Sequence, residues 1–165
     1  MTQITIAKNE SDYNTIARLA EIVWKEHYTP IIGNQQVDYM LDKFQSANAI
    51  KNQVSEGAAY YILKSQEQDL GYLSVSRKKD SLFLSKLYVL SSSRGKGIGK
   101  IAMQFIESET KRLGYSKISL TVNKYNKASI KAYEKMGFKR IKDLVIDIGR
   151  GFIMDDYYME KKLHP

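Results

Sequence analysis

The chain contains no cysteine and only two histidines, His27 and His164, in 165 residues. The first absence excludes disulfides and thiolate metal sites, and the second argues against a histidine-based metal centre. Long hydrophobic runs are also missing. The longest uncharged apolar stretch, Gly57 to Leu63, falls far short of the ~20 residues a helix needs to cross a bilayer. Met1-Thr2-Gln3-Ile4-Thr5 lacks the basic and apolar regions of a signal peptide. There are no internal repeats, no linker and no low-complexity tract. These absences point to a cytoplasmic protein without a membrane partner. The length suits one domain over residues 1–165, large enough to bury a real core. What is present is ordinary for such a domain: 43% hydrophobic and 27% charged residues.

Basic residues are scarce in only one part of the chain. Residues 1–76 carry six Lys/Arg and nine Asp/Glu, a balance of −3, whereas residues 77–165 carry twenty and nine, a balance of +11. A basic half suggests a polyanionic partner. The lysines are nevertheless scattered singly, with Arg77-Lys78-Lys79 the one basic cluster. That pattern fits a solvated face and one bound anion better than a nucleic-acid surface.

Apolar periodicity gives the element order. Ile4 to Ala7 reads as a first strand. Ser11 is the expected N-cap of a helix to about Lys25, with Ile16, Leu19, Ala20, Val23 and Trp24 on one face, and Pro30 and Gly33 are expected to break the chain. Gln35 to Phe44 and Asn48 to Ser55 read as two more helices. Ala58 to Lys64, Gly71 to Arg77 and Ser81 to Leu90 form an expected antiparallel meander, with turns at Asp69 and Lys79-Asp80. A helix from Ile98 to Leu113, a strand Lys117 to Val122, a helix Asn126 to Met136 and strands Phe138 to Ile148 and Phe152 to Lys162 complete the chain. The sum is β-α-α-α-β-β-β-α-β-α-β-β, with room for one extra strand before the meander. The fold class is α+β, with helices on both faces of the sheet.

Arg94-Gly95-Lys96-Gly97-Ile98-Gly99-Lys100 is the densest functional signal. Three glycines alternate with lysines between a strand and a helix, where bare backbone N–H groups and the helix N-terminus can hold a phosphate. A Walker loop fails, because the position five after Gly95 is Lys100. A dinucleotide fingerprint fits poorly, because Gly99 comes one residue early and the preceding strands read as antiparallel. A merely flexible turn explains the glycines but not the lysines or the helix that follows.

Arg94, Gly97 and Gly99, directly after a strand ending Leu87-Tyr88-Val89, resemble the acyl-CoA pyrophosphate loop of the GCN5-related N-acetyltransferase (GNAT) superfamily. The segment Asn123 to Phe138, with Asn126, Tyr133 and the Gly137-Phe138 pair, resembles the family's second cofactor segment. Phe152 to Glu160 and Tyr28 to Gly33 are similar to parts of the bacterial spermidine/spermine acetyltransferase subgroup.

The resemblance implies a mixed, mostly antiparallel sheet of about seven strands and acetyl-CoA as co-substrate. It places the pyrophosphate on Arg94, Gly95, Lys96, Gly97, Ile98, Gly99 and Lys100. It sets the pantetheine arm and thioester carbonyl against the backbone of Leu87, Tyr88 and Val89, and a cofactor contact at Asn126. Asn126 is also the expected N-cap of its helix. Tyr133 corresponds to the acid that protonates the departing thiolate, although a packing role on its helix face accounts for it as well. Many family members carry a glutamate on the strand before the loop, but Leu82-Phe83-Leu84-Ser85-Lys86 has no carboxylate. A water wire, a distant acid and an amine arriving neutral all stay open. Asp155 and Asp156 are candidates, equally explained by solvation, and His27 reads as a helix-end residue. Glu21, Glu26, Asp38 and Asp42 could attract a cationic amine, which together with the subgroup resemblance favours a small, polyamine-like acceptor. The competing class is a non-catalytic regulator that senses CoA or binds nucleic acid. Family members often form homodimers, and the oligomeric state is not fixed by the sequence.

Overall fold

A computed structural model describes residues 1–164. A short strand β1 (Gln3–Ile6) leads into α1 (Glu10–Ile32), α2 (Asn34–Gln45) and α3 (Ala47–Ser55). The meander β2 (Ala59–Ser65), β3 (Gln68–Arg77) and β4 (Leu82–Val89) follows, then a single 3-10 turn (Ser91–Ser93) and α4 (Ile98–Arg112). β5 (Lys117–Asn123), α5 (Lys127–Lys135), β6 (Lys139–Gly149) and β7 (Phe152–Lys162) complete the order. The α+β expectation holds, and α3 passes directly into the meander without an extra strand.

Four local expectations are corrected. The N-cap of α1 is Asn9, whose side chain accepts from the Asp12 N–H at 2.9 Å, so the helix starts ahead of Ser11. Pro30 does not break α1. It lies in the last turn, where its missing N–H forfeits one helical bond, and the Gly33 N–H still closes on the Thr29 carbonyl at 3.0 Å. His27 is therefore inside the helix and not at its end. The β2–β3 turn falls on Gln66 and Glu67, both at positive φ (49° and 65°), which is the twist a two-residue hairpin requires. Asp69 belongs to β3 instead and pairs with Arg18 at 2.9 Å.

The seven strands form one sheet in the order β1-β2-β3-β4-β5-β7-β6, antiparallel except between β4 and β5. On one face lie α1, α2 and α3, packed through Ile16, Leu19, Val23, Trp24, Val37 and Ile50 onto Tyr60, Ile62 and Tyr72. On the other, Ala102, Met103 and Ile106 of α4 and Ile130 of α5 cover Leu73, Val75, Leu82, Leu84, Ile118 and Leu120. A buried chain of hydrogen bonds ties the helical layer to the sheet. Trp24 Nε1 donates to the Tyr72 hydroxyl (3.1 Å), which donates to Gln45 Oε1 (2.7 Å), while Gln45 Nε2 donates to the Tyr60 hydroxyl (3.1 Å). Gln45 is 2% exposed, and these bonds satisfy it.

Two irregularities shape the centre of the sheet. β4 and β5 pair only at Leu82↔Ile118, Phe83↔Ser119 and Leu84↔Leu120. Beyond that, β4 stays with β3 as far as Gly71↔Val89 and β5 stays with β7 as far as Asn123↔Asp156, so the two parallel strands splay apart. β4 also bulges. Ser74 pairs with Lys86 and Val75 with Leu84, leaving Ser85 as the extra residue. The slip reverses the alternation of everything after it. Leu82 and Leu84 face α4, and so do Leu87 and Val89, while Tyr88 is turned toward the three-helix layer.

Candidate active site

The loop after β4 is built to expose its amides. Gly95 (φ 77°) and Gly97 (φ 76°) are left-handed, a conformation that side chains resist. Gly97 is also the N-cap of α4, and the first amide to close a helical bond is that of Ile101, on the Gly97 carbonyl at 3.1 Å. The N–H groups of Ile98, Gly99 and Lys100 precede that bond and have no helical acceptor. A Cβ at Gly95, Gly97 or Gly99 would meet no atom within 4 Å, so the loop has open space beside its glycines. Together with the partial positive charge of the helix end, the free amides make a seat for an anion.

A cleft of about 340 Å³ runs from this seat along the inner side of β4. Leu87, Tyr88, Val89, Arg94, Gly95, Gly97, Ile98, Gly99 and Tyr133 all line it, as do His27, Ser93, Ala128, Ser129, Ala132 and Met136. The structure thus brings together most of the residues singled out in the sequence. Lys96 and Lys100 are not in the lining. Lys96 is exposed, and Lys100 faces an adjoining depression with Glu107, Lys135 and Lys161. Asn126 is buried and acts as a cap, its side-chain oxygen accepting from the Ser129 N–H at 3.4 Å. It also lies within reach of His27 and Tyr28. Burial, and then the nearby Arg94, lower the pKa of His27, so this imidazole is neutral.

Tyr133 points its half-buried ring at the cleft, edge-on to Phe138 (5.5 Å, 67°). Burial, with Tyr28 nearby, holds its phenol well above the ordinary value, so the group stays protonated at neutral pH. Trp24, Tyr28 and Tyr88 meet edge-to-face beside it, and the Tyr28 and Tyr88 hydroxyls share a hydrogen bond of 3.0 Å.

On the helical side of the splay is a second pocket of about 230 Å³. Its wall is formed by Trp24, Tyr28, Ile32, Gln36, Met40 and Phe44 from the helices. The sheet contributes Phe83, Ser85, Lys86 and Tyr88 of β4, Thr121, Val122 and Asn123 of β5, and Met154 and Asp156 of β7. Tyr88 lines both hollows, so the two meet at the point where β4 leaves β5.

The two acids proposed at the C-terminal strand are now separated. Asp155 accepts an ion pair from Lys124 at 2.8 Å, whereas Asp156 is 3% exposed and faces the second pocket. Burial, then the charge of Asp155, raises Asp156 to about 6. Lys86 is the second charged residue of this lining, and sequence reasoning passed over it, noticing in its stretch only that a carboxylate was missing. The signal that could have found it is the β4 bulge, which a single sequence does not reveal. Of the acids expected to attract an amine, Glu21, Asp38 and Asp42 line an outer groove between α1 and α2 with Lys25, and Glu26 is exposed and does not line the pocket.

Among solved structures, the chain is similar to the PaiA N-acetyltransferase of Thermoplasma acidophilum in complex with coenzyme A. The TM-score is 0.79 at 22% identity, over 97% of this chain and 99% of that one. A GCN5-related N-acetyltransferase from Rhodopseudomonas palustris matches with a TM-score of 0.82 at 15% identity, over 99% and 96%. A GNAT family acetyltransferase from Elizabethkingia anophelis with acetyl-CoA bound matches with a TM-score of 0.58 at 15% identity, over 69% and 82%. Likeness at these identities shows a shared fold. The sequence profile described as the Acetyltransferase (GNAT) family matches residues 16–138, which include most of α1, the splayed strands, the glycine loop, α5 and Phe138. This protein belongs to the GNAT family of acetyltransferases.

Proposed function

We propose that the protein transfers the acetyl group of acetyl-CoA to the primary amine of a small molecule, by direct attack within a ternary complex. One observation carries this reading: an anion-seating cleft and an amine-sized pocket meet across Tyr88 at the β4–β5 splay. The pyrophosphate would rest on the amides of Gly95 to Lys100, with Arg94 in the lining and Lys96 and Lys100 adding positive potential from outside it. The pantetheine arm would pair with the unpartnered edge of Leu87, Tyr88 and Val89, whose amides can polarise the thioester carbonyl. Asn126 would fix the start of α5 and so the position of Tyr133.

Chemistry then needs one proton accepted and one given. The neutral amine attacks the carbonyl carbon, and Asp156 takes the proton lost by nitrogen. The tetrahedral intermediate collapses with C–S cleavage, and the Tyr133 hydroxyl supplies the proton to sulfur. The products are the N-acetyl amide and free coenzyme A. A carboxylate poised near 6 is suited to the first role, and a phenol held protonated to the second.

For the acceptor, a polyamine is the class supported by the subgroup resemblance, since Tyr28 and Ile32 of one resembling segment and Met154 and Asp156 of the other meet in the second pocket. An acceptor screen with acetyl-CoA, read by thiol release, tests the proposal. Turnover with one or more small primary amines is expected. No turnover with any amine, accompanied by salt-sensitive DNA binding, would establish the regulatory class instead.

A further inference from the structure

The acceptor pocket contains two opposite charges that do not pair with each other. Among the described residues, Lys86 and Asp156 are the charged members of its lining, and no ion pair joins them. Nor does Lys86 pair with any other carboxylate. Its ammonium donates to Ser85 Oγ at 2.9 Å and lies 5.8 Å from the centre of the Tyr60 ring. Two neighbouring lysines do have acids: Lys117 of β5 has Glu160 at 3.1 Å, and Lys124, just after β5, has Asp155 at 2.8 Å.

An ammonium in a half-buried, largely apolar hollow loses hydration and gains little from a hydroxyl and a ring face. Burial pulls Lys86 down to about 8, which leaves it mostly protonated at pH 7. Its placement there has a specific local cause. Without the extra residue Ser85, position 86 would face α4, and the bulge turns it into the pocket. A free cation kept at such a position is suited to an anionic group brought by a ligand.

We infer that the acceptor is an amine that also bears a carboxylate, with Lys86 holding the carboxylate and the amino group directed to Asp156. Trp24, Tyr28, Met40 and Phe44 would cover the apolar or flexible remainder of the molecule. The hollow, at about 230 Å³, is smaller than the ~300–1,000 Å³ of pockets for drug-sized ligands, which suits a molecule of amino-acid dimensions. Lys86 is thus a specificity-determining residue. A polyamine would place a second cation beside it, so this inference rests on the acetyl-transfer reading and opposes the polyamine class.

Matched acceptors test it: phenylalanine against phenethylamine, leucine against isopentylamine, γ-aminobutyrate against butylamine, with spermidine as the cationic reference. For the wild-type protein, kcat/KM is expected to favour at least one carboxylate-bearing member over its partner by about tenfold or more, as befits a charge-assisted contact. Lys86→Met should bring that ratio close to one without moving the KM for acetyl-CoA, and Lys86→Arg should restore most of it. A wild-type preference for spermidine or for the carboxylate-free amines overturns the inference, as does a preference unchanged in Lys86→Met. Calorimetry of the same pairs on the coenzyme A complex provides a readout independent of turnover. Absence of turnover with tighter binding of the carboxylate-bearing member would refute acetyl transfer alone. Equal or absent binding of both members would refute the role of Lys86.

Discussion

Tyr133 and Asp156 have environments that push both pKa values upward, with different consequences. For Tyr133 the result is a proton retained far beyond neutrality, and the hydroxyl donates to no protein group that folding requires. Tyr133→Phe should therefore leave the melting temperature close to wild type and lower kcat by roughly 10²-fold or more, the usual range for a general acid. A kcat near wild type would remove the phenol from the mechanism. The shift at Asp156 has the same sign, but it falls in the working pH range. Its folded pKa of about 6 lies above the ordinary 3.8, so the folded protein holds its proton more tightly than the unfolded chain does. The stability this provides is full below pH ~4 and is lost as pH rises through ~6. Asp156→Asn should thus stabilise the fold at pH 7.5, by up to about 3 kcal/mol for a shift near two units. That gain should disappear below pH 4, and the variant should lose most of its turnover. The wild-type kcat/KM should fall as pH drops below about 6. Thermal melts at the two pH values and a pH–rate profile check both halves. Sequence reading named Asp155 and Asp156 together and could not choose between them. Adjacent strand residues point to opposite faces, and only the pairing of Asp156 with Asn123 settles which one meets the pocket.

The glycine loop could be identified in the sequence as an element because its chemistry is local: strand end, left-handed turns and helix start follow one another in the ten residues from Val89 to Ile98. Its glycines do unequal things. Gly95 and Gly97 supply positive φ, while Gly99 sits in the first turn of α4 without that requirement and faces open cleft. Gly99→Ala is therefore expected to stabilise α4 by about 0.5–1 kcal/mol. The new methyl should stand where the pyrophosphate is proposed to approach and raise the KM for acetyl-CoA, with kcat largely retained. A variant that is more stable and binds acetyl-CoA as before would dissociate the loop from the cofactor. Other elements were less legible. The period of the Ile16, Leu19 and Val23 face gave α1 its identity, but its end was misplaced because Pro30 costs little in a last turn. The Ser85 bulge and the β4–β5 splay depend on partner strands, so no pattern within Leu82–Val89 announces them.

At the scale of the whole molecule, the sheet order decides which distant residues share chemistry. β7 inserts between β5 and β6, which brings Asp156 opposite Asn123 and into the same pocket as Lys86 of β4. The charge asymmetry between the halves was evident from composition, yet it did not locate the acceptor site. Glu21, Asp38 and Asp42 lie on an outer groove, and the pocket takes its charges from the basic half. The same topology also bears on the kinetic mechanism. Two hollows open on opposite sides of the splay and meet at Tyr88, so both substrates can be held at once. An acyl-enzyme route would need a strong nucleophile at that junction, and the chain has no cysteine to provide one. Initial rates measured while varying acetyl-CoA at several fixed acceptor concentrations should give intersecting double-reciprocal lines. No acetylated protein should form with acetyl-CoA alone, as judged by intact mass. Parallel lines, or a stable mass increase of one acetyl group that is discharged by acceptor, would mean that the acetyl group rests on the protein first, and the direct-attack mechanism would have to be abandoned.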